Sequence, residues 1–168
     1  RLERRDHPLL GWELALAAGA GQRVWENSLS RSEQPLLFEH RLHNTLLLSA
    51  AALLGMAVAA GQRGVGDQPL ALKNVVFHRP LLLDDQAAVQ VQTTLTPQAG
   101  GFSVHIHSRA GADWLLHVTA GVEILPAAET ARSTPPPHSG PALDGTDWYA
   151  AWQGRGVAFG ALQPVARV

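Results

Sequence analysis

The clearest pattern in the chain is an alternation of apolar and polar residues between positions 70 and 125. Four runs there are rich in Val, Leu, Ile and Thr: LALKNVVFHRPLLL, AAVQVQTTLT, GFSVHIHSR and WLLHVTAGVEIL. In the third run, every second residue from Phe102 to Ile106 is apolar, as in a strand with one buried face. Because Gly, Asp and Pro separate the runs, the pattern predicts four successive strands in an antiparallel meander.

An uncharged segment precedes these strands. The stretch SAAALLGMAVAAG, from Ser49 to Gly61, consists mostly of good helix formers. Ser49 can cap the first turn and Gly61 can end the last one, which predicts a helix near residues 49–60. Its residues are apolar on all sides, so we expect other elements to cover it all round.

The first part of the chain contains shorter apolar stretches. Gly19 and Gly21 indicate a turn between two short strands, and QPLLFEHRL (34–42) is interpreted as a further strand. Early strands, one hydrophobic helix and then a meander together predict an α+β hotdog fold, in which a curved antiparallel sheet wraps around a central helix.

The composition changes after Leu125. PAAETARSTPPPHSGPALDG is rich in Pro, Ala and Ser and is typical of a linker, whereas TDWYAAWQGRGVAFG predicts a short helix and the start of a strand. We therefore expect an N-terminal hotdog at 1–126, a Pro/Ala-rich linker at 127–145 and the start of a second hotdog unit at 146–168.

Composition narrows the classes of partner. The chain has 168 residues, 46% of them hydrophobic, and a formal net charge of -1, which does not favour a nucleic acid or a membrane as partner. It has no cysteine, which excludes thiolate chemistry and cysteine-based zinc sites and mildly favours a cytoplasmic location. The uncharged stretch 46–60 is shorter than the ~20 residues that cross a bilayer. The chain begins without Met or a signal peptide, so we interpret it as a piece of a longer polypeptide.

Five motifs, in the same order, resemble those of the dehydratase domain of modular polyketide synthases, which is a double hotdog. They are HPLLG, EHRLHNTLLLS, NVVFHRPLLL, WLLHVTAG and DWYAAWQGRGVAFG. The second is similar to the catalytic motif HxxxGxxxxP, with His40 in the histidine place. The chain thus resembles the first half of the double hotdog together with the link into the second half.

This resemblance implies an enzyme of the lyase type that works on a β-hydroxyacyl or enoyl thioester. The substrate would be carried on the phosphopantetheine of an acyl carrier protein, with no directly bound cofactor. The reaction would be dehydration or a related base-catalysed step, a double-bond shift or a pyran-forming cyclisation. The other implied partners are further polyketide synthase domains, the second hotdog half and a second copy in a homodimer.

Two alternatives remain. One is a catalytically inactive domain with a structural or dimerisation role in the megasynthase. The other is a free-standing thioesterase acting on coenzyme A esters, but its family places an acid or amide on the central helix. Residues 49–61 contain no Asp, Glu, Asn or Gln, which argues against that alternative.

His40 is the candidate catalytic residue. Removal of the C2 proton of a thioester needs a base, and the pKa of histidine lies near neutrality. Burial beside an apolar helix would keep its imidazole neutral and basic. Without the resemblance, a strand histidine with a satisfied hydrogen bond would be the better explanation of His40. The resemblance places the second catalytic residue, an Asp, in the second hotdog, beyond residue 168.

Asn44 and Ser49 are the candidate substrate-binding residues, because they replace the Gly and the Pro of the motif. The Asn44 amide could contact the substrate, and the Ser49 hydroxyl and N–H could hold a water or a substrate oxygen. Such changes resemble those of family variants that shift double bonds or close pyran rings, and also those of decayed inactive copies. Neutral drift in an active dehydratase is the alternative.

The remaining titratable residues are assigned no chemistry. His43 is expected to be structural or solvent-facing, and Glu39 to be a surface charge on the strand face opposite His40. His105 and His107 share a strand face but lack a third ligand, so no metal site is predicted. The resemblance gives His117 a packing role.

Overall fold

The computed structural model describes residues 7–19, 21–126 and 144–160. The strands are β1 (Trp12–Glu13), β2 (Arg23–Leu29), β3 (Arg41–Leu42), β4 (Thr45–Leu46), β5 (Leu70–Phe77), β6 (Val89–Gln98), β7 (Gly101–Ala110), β8 (Asp113–Ile124) and β9 (Val157–Ala158). The helices are α1 (Ala50–Val65), α2 (Gly145–Gly154) and a short 3-10 helix at Pro35–Glu39. The predicted linker lies outside the described residues, apart from Asp144 and Gly145, with which α2 begins.

A six-stranded antiparallel sheet forms the main layer, in the order β1-β2-β6-β7-β8-β5. The four predicted strands all form, and β6, β7 and β8 follow one another as a meander. The predicted place of β5 is wrong, because β5 pairs with β8 at the sheet edge instead of with β6. The connection 78–88 is too long for a hairpin turn, and it instead pairs with the segment before α1, where the Leu48 N–H donates to the Leu81 carbonyl at 2.8 Å.

Helix α1 packs against the inner face of this sheet and confirms the hotdog architecture. The core contains side chains from α1 and from the inner positions of β2, β6, β7 and β8: Trp25, Met56, Ala57, Ala60, Val91, Val104, Ile106 and Val118. Gly64 lets the helix approach closely, since a Cβ there would lie 2.7 Å from the side chain of Leu95. We expected other elements to cover α1 on all sides, but among the described residues this cover is incomplete, because Val58 on α1 is 41% exposed.

Helix α1 begins as predicted but ends later. The Ser49 hydroxyl accepts the Ala52 N–H, which confirms the predicted N-cap. The predicted end at Gly61 is wrong, because Gly61 is buried against Val122 and Leu70 and the helix continues to Val65. Gly66 ends it with φ of +69°, a left-handed conformation that suits glycine.

The strand predicted at Gln34–Leu42 is also wrong. Pro35–Glu39 forms the 3-10 helix, and only Arg41 and Leu42 are extended in a ladder. Pro35 has a fixed φ and no N–H, so it suits the start of a helical turn better than a ladder. Phe38 is fully buried and Leu37 packs against the core, whereas Leu36 is 56% exposed, so burial in this stretch does not alternate as it would in a strand.

No helix among the described residues has both the length and the apolar character needed to cross a membrane.

Candidate active site

His40 follows the 3-10 helix and precedes β3, in an extended backbone conformation with φ of -96° and ψ of 115°. Its imidazole is half-buried. Its carbonyl accepts the Leu47 N–H at 3.2 Å, which ties His40 to the segment that leads into α1. The order of these elements therefore places His40 close to the N-terminal end of the central helix.

Phe159, directly after β9, lies beside His40, and Tyr149 of α2 packs on Phe159. The ring centroid of Phe159 is 5.8 Å from that of His40, and Tyr149 packs edge-on against Phe159 at 5.5 Å. Strand β9 pairs with β3, with Val157 opposite Leu42. The stretch that the sequence assigned to a second unit therefore completes the surroundings of His40.

The electrostatics of His40 favour a neutral imidazole. Burial lowers its pKa below the ordinary histidine value, because water no longer solvates the charged form fully. Among residues 7–19, 21–126 and 144–160, no side chain or backbone group forms a hydrogen bond with the imidazole. The ring is thus a basic group with nitrogens that can contact a substrate.

Asn44 lies at the tip of the β3–β4 hairpin. His43 and Asn44 form its two-residue loop with φ values of +46° and +65°, the pattern of a type I′ turn. Asn is, after Gly, the residue that best tolerates this left-handed conformation. The exposed position of Asn44 and its turn geometry explain, in terms of backbone alone, why Asn can replace the Gly of the motif.

His43 is exposed, and its N–H donates to the Gly156 carbonyl at 2.6 Å, so it joins the hairpin to the chain just before β9.

Ser49 is the N-cap of α1. Its Oγ accepts the Ala52 N–H at 3.2 Å, and its φ of -63° is the value that proline would also adopt. Ser49 in the place of the motif's Pro therefore keeps a φ that proline could also adopt and adds a cap. The hydroxyl proton remains able to donate, because the cap uses the oxygen as an acceptor.

A cavity of about 340 Å³ opens at the start of α1. Its lining includes Leu47, Leu48, Leu53, Phe77 and Arg79. These residues come from the segment before α1, from α1 itself and from the end of β5, and the lining is mostly apolar. Among the described residues, its lining does not include His40, so the cavity is an apolar surface beside the start of α1 and not an enclosure around the imidazole.

His117 holds one wall of this cavity in place. It is 2% exposed, at a bulge where β8 has one residue more than β7. Its Nε2 lies 2.7 Å from the Ser108 hydroxyl and its Nδ1 3.2 Å from the Arg79 carbonyl. Since a carbonyl only accepts, Nδ1 carries the proton, and Nε2 accepts from Ser108. Burial is the main cause that lowers the pKa of His117.

His78 lines this cavity, whereas His105, His107 and Glu39 form no part of its described lining. The rings of His105 and His107 are 6.3 Å apart on β7, and no group of three metal-ligating side chains occurs in the part of the chain that the structure describes. Glu39 belongs to the 3-10 helix instead of a strand, and its carboxylate lies 3.4 Å from the Arg31 guanidinium.

Two features of the site went unrecognised in the sequence. Phe159 was visible only as the aromatic residue of the last motif, without a contact to His40. The ion pairs that Asp85 forms with Arg31 and Arg41 had no sequence signal, because their partners are 54 and 44 positions apart.

Comparison with known proteins gives a consistent result. A family model described as the polyketide synthase dehydratase domain matches residues 7–109. The polyketide synthase GfsA of Streptomyces halstedii is 30% identical over 94% of this chain, and the spectinabilin polyketide synthase system protein NorA of Streptomyces orinoci is 30% identical over 99% of it. The chain spans only 2% and 9% of these two proteins.

Solved structures agree at the level of the fold. The dehydratase domain from the CurF module of the curacin polyketide synthase superposes with a TM-score of 0.83 at 18% identity, over 98% of this chain and 62% of that one. The dehydratase domain of the polyketide PpsC from Mycobacterium tuberculosis gives a TM-score of 0.75 at 28% identity, over 96% of this chain and 58% of that one. In both cases the similar region is about three fifths of the larger domain, as expected for the first half of a double hotdog with its continuation.

Proposed function

The chain belongs to the polyketide synthase dehydratase domain family, and from this membership we propose that it dehydrates a β-hydroxyacyl thioester carried by an acyl carrier protein, with His40 as the base. The observation that carries the proposal is a half-buried imidazole with a lowered pKa beside the start of the central helix. A neutral imidazole at this place can remove an acidified C–H proton near neutral pH.

In the reaction, His40 takes the proton from C2 of the thioester. The electron pair of that C–H bond forms the C2=C3 double bond, and the C3 hydroxyl leaves with a proton as water. The N–H groups of the first turn of α1 can stabilise negative charge on the thioester carbonyl, since the helix dipole is positive there. The Ser49 cap already occupies the Ala52 N–H, so the earlier N–H groups serve this role.

The proton for the leaving hydroxyl needs a second group. Glu39 is unsuited, because its carboxylate is paired with Arg31. An acid supplied by the second hotdog of the parent protein meets this requirement, and the phosphopantetheine arm of the carrier would reach the same place from outside.

Plain dehydration is favoured over double-bond shift or ring closure. Asn44 and Ser49 were interpreted as signs of altered chemistry, but each has a local backbone explanation. Asn44 occupies a left-handed turn position, and Ser49 caps a helix at a φ that also suits proline. Neither substitution therefore requires a different reaction.

The test uses the intact double-hotdog domain of the parent protein. One substrate is a 3-hydroxyacyl carrier thioester, and the other is a 2-enoyl thioester with a distal hydroxyl; mass spectrometry and NMR follow the products. We expect the first substrate to lose water, and His40→Ala to slow this loss by about 10²–10⁴-fold. His105→Ala, a change of the same kind on the outer sheet face, should leave the rate unchanged.

The outcomes separate the alternatives. Ring closure or migration of the second substrate by the wild type would show a cyclase or isomerase. No change in either substrate would support a structural role. The pH profile adds a further check: protonation removes the base, so the acid limb of kcat/KM should lie at lower pH than the ordinary histidine pKa.

A further inference from the structure

The segment that carries His40 has little regular structure to hold it. The 3-10 helix before it has five residues, and strands β3, β4 and β9 have two residues each. Such short strands supply few ladder hydrogen bonds. A catalytic side chain must be held within about 0.5 Å of its productive position, so contacts from outside the segment have to supply the missing rigidity.

Three charged side chains surround this segment: Arg31, Asp85 and Arg41, which we call the Asp85 clamp. Asp85 Oδ1 accepts from Arg31 Nε at 2.9 Å and from Arg31 Nη2 at 2.6 Å. Asp85 Oδ2 accepts from Arg41 Nη2 at 2.6 Å. Hydrogen bonds from Arg41 and then from Arg31 hold the pKa of Asp85 below its ordinary value, so the carboxylate is charged at neutral pH.

The two arginines of the clamp extend to the backbone on both sides of His40. Arg31 Nη2 also donates to the Phe38 carbonyl at 3.0 Å, two residues before His40. Arg41 is the residue directly after His40, and its Nη1 donates to the Asn44 carbonyl at 3.3 Å. The clamp therefore fixes the chain at both ends of a short segment with His40 in the middle.

Asp85 itself is attached to the core. Leu83, two residues earlier, is 8% exposed, and its N–H donates to the Leu46 carbonyl at 3.2 Å. On the other side, the Asp84 carboxylate accepts the Gln86 N–H at 2.8 Å and closes a turn around Asp85. The carboxylate is thus presented from a backbone that is connected to the packed interior.

We propose that Asp85 is a positioning residue for His40, acting through Arg31 and Arg41 and without contact with the substrate. The inference rests on the proposed function of His40 as the base. It extends that function to Asp85 and Arg31, which lie outside the HxxxGxxxxP motif, and to Arg41, which occupies an unspecified position of it.

The Asp85 clamp is partly exposed, so its loss should change the catalytic rate more than the stability. The side chain of Asp85 is 35% exposed, and ion pairs at such positions add little to the free energy of unfolding. Geometry is more sensitive, because a displacement of about 1 Å at a catalytic group can cost about 10²-fold in rate. The expected signature is a fall in kcat with little change in KM or in stability.

The experiment compares Asp85→Ala and Asp85→Asn with Glu13→Ala in the intact domain. Glu13 is a matched control, since its carboxylate accepts from Arg23 Nε at 2.7 Å and Nη2 at 2.6 Å, with a side chain that is 27% exposed, at the sheet edge formed by β1. We expect kcat to fall about 10–100-fold in Asp85→Ala, less in Asp85→Asn, and less than twofold in Glu13→Ala. If Asp85→Ala folds poorly, the Asp85→Asn variant carries the same comparison.

A second measurement does not depend on activity. The Leu47 N–H is bonded to the His40 carbonyl, so its hydrogen exchange reports how firmly His40 is held. Exchange at Leu47 should be at least tenfold faster in the Asp85 variants than in Glu13→Ala. Equal exchange in the two would overturn the inference, whatever the rates. An inactive wild type would count against the proposed function alone, because the comparison of hydrogen exchange at Leu47 would still test whether the Asp85 clamp holds His40.

Discussion

In the sheet, strands β6, β7 and β8 have ten to twelve residues each, and their inner side chains are buried against α1. In the segment 34–48, the strands have two residues each, and the chain is held by backbone hydrogen bonds and by the Asp85 clamp. Apolar volume stabilises the first region, whereas local backbone geometry and charge define the second. Substitutions should therefore act on stability in the sheet and on geometry around His40.

The largest expected effect comes from removing apolar volume in the sheet. Ile106 is fully buried, so Ile106→Ala should reduce the free energy of unfolding by about 2–5 kcal/mol, through lost burial and a cavity. Leu36→Ala, at a 56% exposed position of the 3-10 helix, should change it by no more than about 0.5 kcal/mol. Urea unfolding of both variants measures the difference. Similar losses in both would show that the two regions are stabilised in the same way.

The next effect concerns His117, which joins the sheet to the connection 78–88 through the Arg79 carbonyl. His117→Leu leaves the Ser108 hydroxyl and the Arg79 carbonyl without their partner, so we expect a loss of about 1–3 kcal/mol. His105→Leu on the outer face of the sheet is the control. If both leucine variants unfold at the same urea concentration, the buried hydrogen bonds of His117 contribute nothing.

The same residue makes a prediction about pH. Burial lowers the pKa of His117 in the folded state, so the unfolded chain binds its proton more readily. This contribution to stability is complete above the ordinary histidine pKa of about 6.5 and is lost as the pH falls towards the lowered value. His40 and His107 shift in the same direction. Between pH 7 and pH 5, the free energy of unfolding should change less steeply with pH in His117→Leu than in the wild type. Equal slopes would contradict the prediction.

A smaller effect is expected at the hairpin tip. Asn44→Ala places a residue with a Cβ and no local hydrogen-bonding group at φ of +65°, which costs about 1–2 kcal/mol. Asn44→Gly, which restores the residue of the motif, should be clearly less harmful because glycine adopts this conformation freely. Thermal unfolding ranks the three proteins. If alanine and glycine were equally tolerated, the turn would not be what selects Asn44.

The smallest effect is expected at the start of α1. Ser49→Ala removes the cap and should cost about 1 kcal/mol. Ser49→Pro also removes the cap, but the φ of -63° at this position suits proline. Because proline restricts the unfolded chain, it should increase the free energy of unfolding by about 0.4–1 kcal/mol and offset part of the loss. We therefore expect the proline variant to be the more stable of the two in calorimetry, and the reverse order would mean that the backbone at Ser49 does not accept proline.

The sequence predicted the fold wherever its pattern was periodic. The four long strands and the start of α1 at Ser49 could be recognised because one face of each element is buried over many residues. The end of α1 was misplaced because Gly61 was assigned as a stop, whereas a close approach to Val122 requires a small residue there. The pairing of β5 was missed because alternation identifies a strand but does not identify its neighbour.

The candidate site was less predictable because the segment around His40 has no periodic pattern of burial. His40 was identified by the motif, but the strand assigned around it is a 3-10 helix with one buried residue, Phe38. Two adjacent inward residues, Leu37 and Phe38, have no period that sequence analysis could detect. The contact with Phe159 and the clamp at Asp85 join residues that are distant in the sequence, so only the folded chain brings them together.

The pairing of β9 with β3 has a consequence for the order in which the protein is made. Val157 and Ala158 leave the ribosome after all six strands of the main sheet. At a synthesis rate of about 5–20 residues per second, the chain between β8 and β9 takes on the order of seconds to translate. The sheet and α1 can pack during that interval, while the surroundings of His40 still lack Phe159. A nascent chain therefore acquires its scaffold first, and the contact between His40 and Phe159 forms only after α2 and β9 have emerged.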